Sequence, residues 1–266
     1  MNIIIKSSID IEKMRLSGRL AAEVLEMIAR HIKPGVSTEE LNTICHNYIT
    51  QVQDAIPAPL GYKGFPKSIC TSVNDVVCHG IPNNALKLRS GDIINIDVTV
   101  IKNGLYADTS KMFFVGKPTV LGQRLCQVTQ KSLYLAIRMI KPGLRLRDIG
   151  RSIQKFVEHA NFSVVREYCG HGTGKFFHEP PHVLHYDADD DNCVLQSGMT
   201  LTIEPMVNTG SRHVFTDQND GWTVKTRDHS LSAQYEHTIA VTNSGCEVLT
   251  LRDEECFPEV ITHANL

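Results

Sequence analysis

Apolar residues recur along this chain with two periods, and the two alternate in blocks. Over Ile11 to His31, and one residue beyond, Leu20, Val24, Ile28 and Ile32 fall on one stripe, which predicts an amphipathic helix. Pro34-Gly35 ends it, because proline cannot extend the hydrogen-bond ladder and glycine suits a left-handed cap. Ser37-x-x-Glu40 then reads as a capping box that opens a second helix with Leu41, Ile44 and Tyr48 inward. The period drops to two where Ile94, Ile96, Val98 and Val100 alternate with Asn95, Asp97 and Thr99, the pattern of a strand with one apolar face. Asn103-Gly104 follows, a tight-turn signal between that strand and Tyr106-Ala107-Asp108-Thr109.

The same succession returns further on. Ile32-Lys33-Pro34-Gly35 reappears as Ile140-Lys141-Pro142-Gly143, offset by 108, and Leu88-Arg89-Ser90-Gly91 as Leu195-Gln196-Ser197-Gly198, offset by 107. Six residues after the glycine of the second pair stands an acid in each copy, Asp97 and Glu204. Two independent matches in register predict a duplication, with half-domain repeats at about 10–115 and 119–245 inside one domain spanning 1–266. Gly116-Lys117-Pro118 is the natural joint. In the second copy the expected helix faces are Leu121, Leu125, Val128, Leu135 and Met139, then Ile149, Ile153, Phe156 and Val157. The expected strand alternates Leu201 and Ile203 with Thr200, Thr202 and Glu204. Helices on one side of antiparallel strands make the fold class α+β.

With Asn103-Gly104 as the turn, Thr99 lies opposite Asp108 and Asp97 opposite Ser110, so both aspartates share a face as diagonal neighbours. Carboxylates held that close repel, and a cation between them removes the repulsion. The duplicate strand adds Glu204, and Tyr235-Glu236-His237-Thr238 echoes Tyr106-Ala107-Asp108-Thr109 as its partner. His171 sits in a glycine-rich string, Gly170-His171-Gly172-Thr173-Gly174, where backbone can approach a ligand closely. Four carboxylates with one imidazole suit two hard or borderline divalent ions, and spacing alone leaves a metal site and ordinary solvated acids both open.

Composition narrows the classes. The chain has 266 residues, 42% hydrophobic and 21% charged, with a formal net charge of −2, so no global basic field points to nucleic acid. No apolar run reaches the ~20 residues of a membrane helix. The Ile3-Ile4-Ile5 patch is too short for a signal-peptide core, so a cytoplasmic location is expected. None of the eight cysteines forms a Cys-x-x-Cys pair, and reduced, mostly buried thiols are expected.

The order Asp97, Asp108, His171, Glu204, Glu236 resembles the five-ligand signature of the methionine aminopeptidases. So do Gly61-Tyr62-Lys63-Gly64-Phe65-Pro66, Val77-Cys78-His79-Gly80, Phe177-His178-Glu179-Pro180-Pro181 and Thr202-Ile203-Glu204-Pro205, which are similar to the short, type I bacterial branch. The resemblance covers nearly the whole chain. It implies the duplicated "pita-bread" fold, with the metal site on the open face between two pseudo-symmetric halves. It further implies a hydrolase that trims the initiator methionine when the second residue is small.

By that resemblance Asp108 and Glu236 bridge two divalent ions (Co, Mn, Fe, Ni or Zn), Asp97 holds one, and His171 with Glu204 the other. Glu204 is the expected proton acceptor, and His79 and His178 contact the substrate backbone. Tyr62, Phe65, Cys70, Tyr168, Phe177, Met206 and Trp222 line the methionine pocket, and Asn74, Val76 and Ser232 match a Na or K site. Lys63 and Pro59 depart from the His and Cys of several relatives at the pocket rim. The implied partners are nascent polypeptide N-termini, with transient ribosome association, for an enzyme acting as a monomer. Xaa-Pro aminopeptidases and creatinase share the fold but generally carry a separate N-terminal domain, whereas this chain starts at the repeat. A binding module that lost its metals would have lost a ligand.

Overall fold

The computed structural model describes residues 3–189, 193–258 and 260–262. The expected domain span of 1–266 includes residues 1–2, 190–192, 259 and 263–266, which lie outside the described residues. Helix α1 (Ser8–Ile28) begins three residues before the apolar stripe does, because Ser7 and Asp10 form a reciprocal capping box. Helix α2 (Thr38–Asn47) starts at the expected box: the Ser37 hydroxyl accepts from Glu40 N–H at 3.2 Å, and Ser37 N–H donates to the Glu40 carboxylate at 2.7 Å. Helices α3 (Val120–Met139) and α4 (Leu146–His159) follow the joint.

Strands Ile93–Lys102 and Leu105–Phe114 form the predicted hairpin. Asn103 and Gly104 take φ of 52° and 75°, the left-handed pair that a two-residue turn requires. The register is the expected one, Thr99 opposite Asp108 and Asp97 opposite Ser110. Ile94, Ile96, Val98 and Val100 are fully buried against α1 and α2. The second copy supplies Thr200–Ile203 and Glu236–Val241, paired with Thr202 opposite Thr238. Glu236–Val241 also pairs with the first hairpin, Glu236 opposite Ser110, so one continuous antiparallel sheet of ten strands runs through both copies.

The repeat extends to backbone hydrogen bonds. Gly35 N–H donates to Leu88 O at 2.7 Å, and Gly143 N–H to Leu195 O at 2.9 Å. Ser37 bridges Lys87 as Arg145 bridges Val194. The copies differ at the cap, since Arg145 makes no side-chain cap hydrogen bond, whereas the Ser37 hydroxyl accepts from Glu40 N–H and donates to the Glu40 carboxylate.

One expected face is turned. Leu121 is 47% exposed, and Leu135 and Met139 are only half-buried. The face of α3 against the sheet carries Gly122, Leu125, Cys126, Thr129, Leu133, Ala136 and Ile137. Its polar members hide the stripe from a hydropathy reading, yet they are satisfied within the helix: Thr129 Oγ1 donates to Leu125 O at 2.8 Å and Ser132 Oγ to Thr129 O at 2.7 Å.

Gly18 sits inside α1 where a Cβ would collide with the Leu249 carbonyl. Helix propensity favours Gly18→Ala by about 1 kcal/mol, whereas overpacking against backbone costs about 1–3 kcal/mol. Collision should win, and urea denaturation of Gly18→Ala should give a lower midpoint than the parent. An equal or higher midpoint would mean that α1 is free to shift.

Candidate metal centre

The face of the sheet turned from the helices carries polar residues of the strands, and they are mostly buried. Asp108, Glu204, Glu236 and His171 are all less than a tenth exposed, and Asp97 is half-buried beside them. Ligand atoms of Asp108, His171 and Glu236 lie within 4.8 Å of one another. His171 Nε2 is 3.7 Å from Asp108 Oδ2 and 3.6 Å from Glu204 Oε1. Asp97 lies beside Asp108 as its diagonal neighbour on the adjacent strand. All five expected ligands thus border one cavity of about 490 Å³.

Neighbouring strands fix each acid. Thr99 Oγ1 donates to Asp108 Oδ1 at 2.8 Å, and Thr202 Oγ1 to Glu204 Oε1 at 2.8 Å. Gln234 Nε2 donates to the other Glu204 oxygen at 3.1 Å, and Glu204 N–H donates to buried His185 Nε2 at 3.1 Å. Thr238 Oγ1 donates to Asp108 O and accepts from Asp108 N–H, locking the seam between the two copies.

Electrostatics then ask for a cation. Burial pushes Asp97 up to about 7 and Glu204 up to about 8. Burial first, and the surrounding carboxylates after it, hold Asp108 and Glu236 well above the usual carboxylate range. Among the described residues bordering the cavity, Lys63 alone has a fixed positive charge. Burial lowers His171 to about 4, so its ring is neutral at pH 7. Its Nδ1 lies 2.9 Å from Gly172 O, an acceptor only, so Nδ1 carries the proton and the Nε2 lone pair faces the carboxylates. Glu236 Oε1 is buried with no hydrogen-bond partner among the described residues. A lone pair aimed at acids, and an orphaned carboxylate oxygen, both fit divalent metal ions.

The rest of the cavity is aromatic. On one wall Tyr62 lies 4.7 Å from Phe177 and stacks on His178 at 5.2 Å, while His178 lies 4.2 Å from His171. On the other, Trp222 meets Phe65 at 5.2 Å and His79 at 5.9 Å, and His79 meets Tyr168 at 5.5 Å. Cys70 stands opposite Asp97 on the adjacent strand, and Met206 is buried nearby in the lining. Burial lowers His79 to about 4; burial, then His171 and Lys63, lower His178 to about 3. Pro59 and Lys63 also border the cavity. Away from it, Asn74 O accepts from Ser232 N–H at 2.8 Å, Ser232 Oγ is buried with no partner among the described residues, and Val76 begins a strand packed beside Ser232.

Sequence reasoning missed several residues here. Cys169, His182 and Glu167 border the cavity, with Cys169 Sγ 3.6 Å from His182 Nδ1. They lie in loops and short strands without a readable period. Thr99 and Thr202 were legible in principle, each two residues from an acid on the same strand face.

A buried cluster of carboxylates and one imidazole on a duplicated α+β fold has the donor set of one class, the metal-dependent hydrolases. The sequence matches the profile "Metallopeptidase family M24" over residues 12–243. It is 65% identical to the methionine aminopeptidase of Escherichia coli (strain K12) over 263 residues, 99% of each chain. Its structure is similar to those of the methionine aminopeptidases from Rickettsia prowazekii (TM-score 0.92, 53% identity, 94% of this chain and 100% of that one) and Thermotoga maritima (0.91, 40%, 94% and 99%). The chain belongs to metallopeptidase family M24 and, within it, to the methionine aminopeptidases. The fold is the duplicated "pita-bread" form of that family. No described helix is long and apolar enough to cross a membrane.

A carboxyl whose pKa is higher folded than unfolded binds more protons in the folded state. With Asp97 and Glu204 raised from about 4 to about 7 and about 8, metal-free stability is fullest below the unfolded values and falls as pH rises through the folded ones. The melting temperature of chelator-treated protein should therefore drop between about pH 5 and pH 8, and Mn²⁺ should abolish that drop. A melting temperature that rises over this window without metal would contradict the electrostatic picture.

Proposed function

We propose that this chain removes the initiator methionine from new polypeptides whose second residue is small, using two divalent ions (Co, Mn, Fe, Ni or Zn). Four carboxylates and one imidazole lone pair face one cavity, with Lys63 the single fixed cation among the described residues bordering it, and this carries the reading. Asp108 and Glu236 would bridge the ions, Asp97 would hold one, and His171 with Glu204 the other. When bound, the ions lower the pKa of a water and polarise the substrate carbonyl.

The remaining steps fall to side chains. Glu204 accepts the proton of the attacking water and returns it to the leaving amine, a role supported by its carboxylate facing the cavity while Thr202 and Gln234 hold it in place. Neutral His178 and His79 donate N–H to the substrate amide as it becomes tetrahedral. Tyr62, Phe65, Cys70, Tyr168, Phe177, Met206 and Trp222 enclose the thioether side chain; sulfur and aromatic faces suit its soft, unbranched shape. Lys63 and Pro59 stand at the rim, where they alter the contacts offered to the substrate relative to the His and Cys of several relatives. Asn74, Val76 and Ser232 bind a Na or K ion, which the orphaned Ser232 hydroxyl supports.

We read the chain as one catalytic domain of two half-domain repeats, about 10–115 and 119–245, supported by the paired hydrogen bonds of the two copies. The enzyme works as a cytoplasmic monomer on nascent N-termini, with transient ribosome association.

Glu204→Gln keeps shape and loses proton affinity, so kcat should fall at least ~10²-fold with metals still bound. Retained kcat in metal-loaded protein would assign the base elsewhere. Substrate choice is the second test. One methylene in an apolar site is worth about 1–3 kcal/mol, whereas a stranded charge costs far more. By kcat/KM, Met-Ala-Ser and norleucine-Ala-Ser should be cut well, and Met-Lys, Met-Phe and N-acetylated Met-Ala poorly. Preference for Ala-Pro-Ala would move the activity to the Xaa-Pro branch.

A further inference from the structure

A buried charge lies behind one aromatic wall, outside the groups that perform the reaction. Lys6 and Glu179 form an ion pair in which each side chain is 1% exposed. A lysine so placed is held charged only by its partner, since burying an unpaired ammonium is costly. The Lys6 ammonium also donates to Ile4 O at 3.2 Å, and Lys6 N–H donates to Gly198 O at 2.8 Å, which ties this segment to the second copy.

Glu179 uses its other oxygen on the backbone before it. Oε1 accepts from Lys175 N–H at 2.7 Å and from Phe176 N–H at 2.8 Å, closing the turn that leads to Phe177 and His178. Gly174 in that turn has a φ of 139°, and a Cβ there would lie 2.6 Å from Lys6 Cε and 3.0 Å from Met14 Sδ. Gly174 O accepts from Tyr106 N–H at 2.8 Å, two residues from Asp108. The turn is therefore gripped by Lys6 through Glu179, by packing against Lys6 and Met14, and by the strand of a metal-site acid.

We propose that Lys6 is a positioning residue, which through Glu179 holds the 173–178 turn so that Phe177 and His178 keep their places against the metal centre. The inference rests on the reading of His178 as a substrate contact. Without Lys6, Glu179 must take up a proton or admit water, and either weakens its hold on the two N–H groups. Small displacements of a contacting group cost large factors in rate, and a misplacement of about 1 Å costs up to ~10²-fold.

The test compares wild type, Lys6→Met and Lys6→Met/Glu179→Gln, all loaded with Mn²⁺. The double variant strands neither charge and keeps an amide oxygen for the two N–H groups, so it guards against simple misfolding of the single one. Metal content, kcat and KM on Met-Ala-Ser, and amide hydrogen exchange over 173–178 are measured. Lys6→Met should keep its metals, lose at least ~10-fold in kcat with little change in KM, and exchange faster over 173–178. The double variant should recover most of both losses. Unchanged kcat and exchange in Lys6→Met would overturn the proposal, as would a loss that follows metal content or that Glu179→Gln does not relieve. Wild type inert toward Met-Ala-Ser would defeat the substrate reading instead, and accelerated exchange in Lys6→Met would still support the grip on the turn.

Discussion

Mutual repulsion among Asp97, Asp108, Glu204 and Glu236 is the constraint around which this fold is arranged. Burial limits how far water can relieve it, and among the described residues bordering the cavity Lys63 alone has a fixed positive charge. The sheet must therefore hold like charges together against their preference, and it does so from behind. Thr99, Thr202, Thr238 and Gln234 each spend a donor on an acid or its backbone. Behind Glu236, Thr109 Oγ1 donates to its carbonyl at 2.7 Å and accepts from buried Arg252 at 3.1 Å. Arg252 is itself paired with Glu255 at 2.7 Å, so its charge is engaged there. Rigidity of this kind presents ligands to divalent ions at little reorganisation cost.

The duplication explains how such a site arises economically. Each copy contributes a strand pair with acids on the face turned from its helices, and pairing of Glu236–Val241 with the first hairpin brings the two sets together. Histidines and aromatic rings then close the cavity. Burial keeps His79 and His178 neutral, which leaves them as hydrogen-bond donors and adds no further charge to the centre.

Legibility followed period and turn chemistry. The first hairpin was readable to the residue, because strict alternation and Asn103-Gly104 leave one register. Glu204 and Glu236 were readable by analogy between the copies. The start of α1 was missed because Ser7-x-x-Asp10 is a weaker signal than the Ser37-x-x-Glu40 box that opens α2. The face of α3 was misread because Thr129 and Ser132 look polar in sequence but bond within their own helix. Lys6 and Glu179 lie 173 residues apart, and no local pattern announces such a pair. The cysteines are mostly buried, as expected: Cys45, Cys70, Cys78, Cys126 and Cys246 lie in the interior.

Without metal the carboxylates are crowded together and partly protonated, held in place for divalent cations. Calorimetric titration of Mn²⁺ into chelator-stripped protein at pH 7, in two buffers of different ionisation enthalpy, counts the protons released on binding. Tight binding with release of about one proton or more per protein is predicted, since Asp97 and Glu204 titrate near or above that pH and must give up their protons to act as ligands. Absence of binding, or binding without proton release, would contradict the account.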